Sequence, residues 1–270
     1  MSAYKMQVKP KQTEDLITYR APAGQKQLHV LNLSDLHAGD RFFDQEKFEY
    51  LVKLVEKERM RCNVVGDLFA MVLKGSKGAP RDLIWDADLT SEYLYAQFKR
   101  ILDFIDSISP GNHDYRPVNE GATNPVKALV RALGIQDRYR DTTAMVEYAT
   151  EEPSYKMSYL AYYFHGSAGG RTAGAALSAC EKAVLRAHAD IYVMGHMHVA
   201  SFSGARERTD ADKRNKKTFQ APYWLVTNGS LQEGKGSYAE RNCYTLARTT
   251  QTLMTLSMVK GEKDVGVQMI

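Results

Sequence analysis

The chain has 270 residues, 44% of them hydrophobic and 25% charged, with a formal net charge of +4. That content supports one substantial core, so a single domain is expected over residues 1–270. No apolar run reaches the roughly 18 residues of a membrane span, and the modest positive charge falls short of a dedicated nucleic-acid-binding domain while permitting an anionic substrate.

The opening MSAYKMQVKPKQTEDL has no apolar centre of the kind a signal peptide needs. Residues 1–26 are polar, carry Pro10, Pro22 and Gly24, and read as an arm or an edge hairpin. Leu28 to Leu33 predicts a buried strand ending at Ser34-Asp35. Glu46 to Lys57 places Phe48, Leu51, Val52 and Val55 at helical spacing. A brief strand at Val64-Val65 leads into Gly66-Asp67, and an irregular Lys-, Gly- and Pro-rich stretch follows over 70–88. A helix is expected from Leu89 to Ile105, then a short strand over Ser107 to Ser109 before Pro110-Gly111. Asn124 caps a helix that starts at Pro125, and Gly134 ends it.

The second half turns toward strands, at Thr143–Tyr148, Tyr155–Phe164, Asp190–Met194, Tyr223–Thr227 and within Asn242–Val259, with an Ala-rich helix over Thr172–Ala187. Residues 203–222 read as an accessory basic loop. Cys62, Cys180 and Cys243 are few and widely spaced; they fit a reducing, cytoplasmic compartment and read as buried small hydrophobes. His29 reads as a sheet-face residue and His188 as a helix-end residue.

Five of the seven histidines lie in short motifs, each after a strand or strand end: Asp35-Leu36-His37, Gly66-Asp67, Gly111-Asn112-His113-Asp114, His165-Gly166 and Gly195-His196-Met197-His198. Side chains at the carboxyl ends of parallel strands face the crevice where α/β folds bind ligands. In extended segments, Asp35 with His37 and His196 with His198 would each share one side. Glycines at 66, 111, 166 and 195 allow sharp turns there. Each motif alone also suits a turn, a cap or a core histidine. Together they supply seven carboxylate, amide and imidazole donors (Asp35, His37, Asp67, Asn112, His165, His196 and His198), and no thiolate. That is too many for one tetrahedral zinc and suits two ions of Mn, Fe, Zn, Co or Ni.

This motif set, spanning about residues 29–230, resembles the calcineurin-like metallophosphoesterase superfamily. The resemblance implies an α/β fold: a four-layer α-β-β-α sandwich of two central mixed sheets with a dinuclear metal site at strand ends. It implies one ion on Asp35, His37, Asp67 and His198 and a second on Asp67, Asn112, His165 and His196, with Asp67 bridging and Mn²⁺ the foremost metal. The ions would share a water, and the resulting hydroxide would attack phosphorus in line. His113 is left for the leaving group or the phosphate, with Asp114 expected to orient its ring and raise its pKa. Asn112 would also approach the phosphate.

Gly-Asp-Leu-Phe with Gly-Asn-His-Asp is similar to the DNA-repair exonuclease branch (Mre11/SbcD type) and to nucleotide phosphodiesterases. The arginine that protein phosphatases place after their Gly-Asp motif is absent. The expected substrate is therefore a phosphodiester in a nucleotide or nucleic acid. Phosphomonoester or protein-phosphatase activity, or a repair-type exo- or endonuclease, are the enzymatic alternatives. A non-catalytic metal-binding interaction module is the alternative of another class. Lys74, Lys77 and Arg81, and beyond the histidine pair Arg206 and Arg208, are candidate contacts to a polynucleotide backbone at the rim. Trp85 and Tyr238 are candidates to stack on bases. No membrane partner is expected, and the oligomeric state is left open.

Overall fold

A computed structural model of the chain describes residues 16–73, 80–167, 169–170, 172–243 and 248–270. In chain order its strands are β1 (Ile17–Ala21), β2 (Gln27–Leu33), β3 (Arg61–Val65), β4 (Ile105–Ser109), β5 (Thr143–Thr150), β6 (Ser158–Phe164), β7 (Ile191–Met194), β8 (Ser201–Phe202), β9 (Arg206–Asp212), β10 (Lys217–Thr227), β11 (Thr252–Ser257) and β12 (Val265–Met269). The helices are α1 (Gln45–Glu58), α2 (Ala87–Arg100), α3 (Arg116–Asn119), α4 (Pro125–Leu133), α5 (Ala173–Glu181) and α6 (Tyr238–Arg241).

The strands form two mixed sheets. One has the order β12-β11-β2-β3-β4, the other β1-β5-β6-β7-β10-β8, with β9 paired to β10 outside that path. β2, β3 and β4 run parallel, as do β6, β7 and β10, so each sheet gathers several carboxyl ends along one edge.

Alternating faces explain the packing. In β2, Leu31 and Leu33 face a cluster that includes Phe48 and Leu51 of α1, Leu94 and Phe98 of α2, and Leu129 of α4. Leu28 and Val30, on the other face, join Val146, Tyr163, Val193 and Trp224 between the sheets. Ala176 and Cys180 of α5 cover the outer face of the second sheet at Tyr192 and Leu225. Both faces of β2 are covered, hence its nearly continuous apolar run. The result is the helix-sheet-sheet-helix sandwich expected above. Each large side chain buried there contributes about 1.5–3 kcal/mol, so the middle layer fixes one sheet against the other.

Capping placed three helices where the sequence put them. Asp44 Oδ1 accepts from Lys47 N at 3.0 Å to start α1, and Asn124 Oδ1 accepts from Val126 N and Lys127 N to start α4. Gly134, at φ 75°, closes α4 in the left-handed region. Thr172 accepts from Ala175 N at the start of α5.

Four expectations need correction. The helix expected to reach Ile105 ends at Arg100; a 3₁₀ turn at Leu102–Phe104 follows, and Ile105 opens β4. Pairing of β4 with β3, reinforced by the buried Arg61–Asp106 ion pair, overrides the helical pattern. The Ala-rich helix stops at Glu181 and gives way to a 3₁₀ turn at Lys182–Leu185. The expected loop at 203–222 is a two-stranded ribbon: β9 pairs antiparallel with β10 from Arg206↔Tyr223 to Asp212↔Lys217. Its charged residues alternate in exposure as a strand requires, and their polarity hid the pattern. Cys243 is exposed, whereas Cys62 and Cys180 are buried. No helix among the described residues is long and apolar enough to cross a membrane.

Candidate metal centre

The five motifs leave five strand ends: Asp35 follows β2, Asp67 follows β3, Asn112 follows β4, His165 follows β6 and His196 follows β7. The first three ends belong to one sheet and the last two to the other. Asp35, His37, Asp67, His196 and His198 all have positive φ, between 51° and 70°. Asp35 and His37 meet in one donor group with both members left-handed and not in an extended segment, whereas His196 and His198 fall in different groups. Non-glycine residues in that region carry strain, which a structure retains where the surroundings over-determine the conformation. Gly111 meets a different requirement: a side chain there would collide with the Asp67 carboxylate.

The donors form three overlapping groups, each with its ligand atoms within 4.8 Å of one another: Asp35, His37 and His198; His37, Asp67 and His113; Asp67, His165 and His196. His37 Nε2 lies 3.1 Å from His198 Nε2, which is 3.2 Å from Asp35 Oδ1. Asp35 Oδ2 accepts from Ser34 Oγ at 2.6 Å and His196 N at 2.9 Å, while Oδ1 is buried without a hydrogen-bond partner. On the other side, Asn112 Oδ1 lies 2.8 Å from His196 Nδ1 and 3.1 Å from His165 Nε2, and the latter is 3.2 Å from Asp67 Oδ2. His165 Nδ1 donates to Val65 O at 2.9 Å, which turns Nε2 toward the cluster.

These contacts fit divalent cations. A buried carboxylate oxygen without a donor, facing imidazole nitrogens, lacks the positive charge that would offset its burial. Protons take that place in the metal-free protein. Burial lowers the His165 pKa, but Asp67 and Asp35 outweigh it and push the pKa up to about 10. Burial raises the Asp35 pKa, yet His198 and His165 bring it down to about 2.

Asp114 is placed differently from the expectation. Its carboxylate accepts from Gly111 N at 2.8 Å, Phe69 N at 3.0 Å and Leu68 N at 3.2 Å, so it ties the Gly-Asp and Gly-Asn-His loops together. The His113 ring is oriented by other groups: Nδ1 lies 2.7 Å from Ala70 O, and Nε2 lies 2.8 Å from Arg116 Nη2. A guanidinium only donates, so Nε2 is the acceptor and the ring is the neutral Nδ1–H tautomer. Burial lowers the His113 pKa; Asp67 opposes this, and Arg116 reinforces it.

Arg116 was not singled out in the sequence. Its signal is its place three residues after His113 in His-Asp-Tyr-Arg, within reach once 113–116 form a turn closed by His113 O and Arg116 N at 3.1 Å.

Of the expected rim cations, Arg206 and Arg208 are engaged away from the cluster. Arg206 pairs with Glu181 at the end of α5, and Arg208 Nη1 donates to Ala189 O at 2.6 Å and Tyr192 Oη at 3.2 Å. Ala189 precedes β7, whose opposite end carries the histidine pair, so Arg208 lies at the far end of that strand. The ribbon leaves the rim instead of lining it. Arg81 is exposed in a 3₁₀ turn at Pro80–Asp82, while Lys74 and Lys77 lie outside the described residues. Trp85 packs on Tyr93 with ring centroids 5.0 Å apart; the Tyr238 side chain is outside the described set. His29 Nδ1 meets Thr255 Oγ1 on the sheet, and His188 Nε2 meets Asp210 at 2.8 Å.

No protein-family model and no curated protein matches the chain. Among solved structures it is similar to Vps29 complexed with Zn²⁺ from Entamoeba histolytica, at 12% identity over 90% of this chain and 98% of that one, with a TM-score of 0.35. It is also similar to GAP50, the anchor in the inner membrane complex of Plasmodium, at 10% identity over 91% and 85%, TM-score 0.44. A PfkB family carbohydrate kinase from Listeria grayi matches at 12% identity over 59% and 48%, TM-score 0.24. Likenesses at these scores carry no argument about function, which rests on the geometry of the cluster and on the motifs.

Proposed function

We propose that the chain is a dinuclear, metal-dependent phosphoesterase of the calcineurin-like superfamily, and that its substrate is a phosphodiester in a nucleotide or nucleic acid. What supports this is the convergence of seven donors from five strand ends, six of them in close overlapping Asp and His groups and the seventh, Asn112 Oδ1, beside His165 and His196. In this reading Asp35, His37, Asp67 and His198 hold one ion, and Asp67, Asn112, His165 and His196 hold the other, with Mn²⁺ the first metal to try. Bound ions there would offset phosphoryl charge and lower the pKa of a water.

The remaining chemistry belongs to the chain. Asp67 Oδ1 accepts from His113 N at 2.7 Å, which fixes the carboxylate for use by its other oxygen. His113 enters the reaction neutral, so it does not begin as the acid. Once Arg116 lets go, Nε2 can take up a proton from solvent and pass that same proton to the leaving oxygen, which returns the ring to its neutral form. The diester preference comes from the Gly-Asp-Leu-Phe and Gly-Asn-His-Asp motifs.

Mn-loaded protein should cleave bis-p-nitrophenyl phosphate, cyclic nucleotides or DNA, and His113→Ala should lower the rate about a hundredfold or more with metals retained. Activity confined to p-nitrophenyl phosphate would reject the diester assignment. A second reading, a metal-binding interaction module without turnover, is favoured by one observation: Arg206 and Arg208 turn away while the ligand cluster is complete. Retained metals with no turnover on any mono- or diester would establish it.

A further inference from the structure

We infer that Arg116 is the phosphoryl-oxygen ligand of this site, parked on His113 until an oxyanion replaces the imidazole as its acceptor. The inference rests on the phosphoester reading for its ligand class, a tetrahedral phosphoryl group, and on contacts of this chain for the residue.

Arg116 is half-buried, and among the described residues its guanidinium makes three polar contacts. Nη1 donates to Met71 O at 2.7 Å and to Ala70 O at 3.4 Å, and Nη2 donates to His113 Nε2 at 2.8 Å. None of the acceptors is an anion. Arg61, Arg206 and Arg241 close ion pairs with Asp106, Glu181 and Asp82, whereas Arg138 and Arg208, like Arg116, donate to neutral acceptors. Its direct partners are carbonyls and a neutral imidazole, and the Asp67 and Asp114 carboxylates act on it only through space, so the forked donors of Arg116 are free to exchange a neutral acceptor for an anionic one.

Its position says what would use it. His113 Nε2, which Arg116 touches, is 4.0 Å from Asp67 Oδ2, and the His113 and His37 rings meet edge-on at 4.6 Å. Arg116 therefore stands one imidazole away from the shared carboxylate of the metal cluster. Pro117, in the first turn of α3, fixes the backbone immediately after it. A guanidinium matches two oxygens of a phosphoryl group in a forked geometry, and a charge-assisted pair of that kind is stronger than its bond to a neutral ring.

The test compares wild type, Arg116→Gln and Arg116→Lys as full-length proteins loaded with Zn²⁺ or Mn²⁺. Metal content, the Kd for inorganic phosphate by calorimetry, and kcat and KM on bis-p-nitrophenyl phosphate are measured on each. Arg116→Gln should keep its metals and bind phosphate about ten- to a hundredfold more weakly, with Arg116→Lys in between because it keeps the charge and loses the fork. In Zn-loaded wild type, added phosphate should shift the His113 Nε2 nitrogen resonance as the guanidinium leaves it. Phosphate affinity equal to wild type in either metal-loaded variant, or a His113 resonance indifferent to phosphate, would overturn the inference. The two readings separate cleanly. Arg116-dependent phosphate binding without turnover on any ester defeats the phosphoesterase assignment and leaves this inference standing. Turnover that is unchanged in Arg116→Gln does the reverse.

Discussion

At the residue scale, His165 would couple proton release to any metal bound at the cluster. Its Nδ1 is committed to Val65 O, so only Nε2 can serve as a ligand, and that atom carries a proton while the pKa is about 10. A metal must displace it. Metal binding near pH 7 is expected to release about one proton from this residue, read by calorimetry in buffers of different ionisation enthalpy, and affinity should rise with pH. The metal-free protein should behave oppositely. A histidine whose folded pKa lies above its unfolded value of 6.5 contributes stability that is complete below 6.5 and is lost as pH rises through about 10. Thermal midpoints of metal-free protein should therefore fall over that window. The ligand types were legible in the sequence because strand-end Asp and His motifs recur five times. Arg116 was not, because a position three residues after a motif histidine is an ordinary turn position until the fold closes it. The left-handed backbone at Asp35 and His37 was equally hidden, since nothing in Asp-Leu-His demands it.

At the element scale, the ribbon of β9 and β10 shows what charge alone fails to predict. Its basic residues suggested a backbone clamp, yet the inward face of β9 is spent on the α5–β7 connection, through Arg206 with Glu181, Arg208 with Ala189 O, and Asp210 with His188. Arg208→Ala should then cost about 1–3 kcal/mol in urea unfolding, because Ala189 O and Tyr192 Oη lose a charged donor, and should leave KM unchanged. A KM raised severalfold at unchanged stability would restore Arg208 to the substrate. The capped helices were legible because Asn124-Pro125 and Gly134 are local signals. The end of α2 was not, since pairing of β4 with β3 decides it through partners as distant in the chain as Cys62 and Ile105.

At the scale of the whole molecule, the site spans two sheets, so their relative position sets the spacing of the two ligand groups. Asn228, after β10, works as a clamp at that edge. Its Nδ2 donates to Asn32 O at 2.8 Å and Gln251 Oε1 at 2.7 Å, and its Oδ1 accepts from Thr252 N at 2.7 Å, tying the second sheet to β2 and β11 of the first. Ser230 Oγ extends the tie by donating to Asp35 O at 2.9 Å. The sandwich was legible through the family resemblance. The clamp was not, because Asn-Gly-Ser at 228–230 reads as a plain turn. The central claim is that both sheets hold one pair of ions through the seven named donors. Anomalous diffraction from crystals grown with Mn²⁺ tests it most directly. The account predicts two peaks per chain with Asp67 in contact with both. A single ion, or ions held by residues outside Asp35, His37, Asp67, Asn112, His165, His196 and His198, would contradict it.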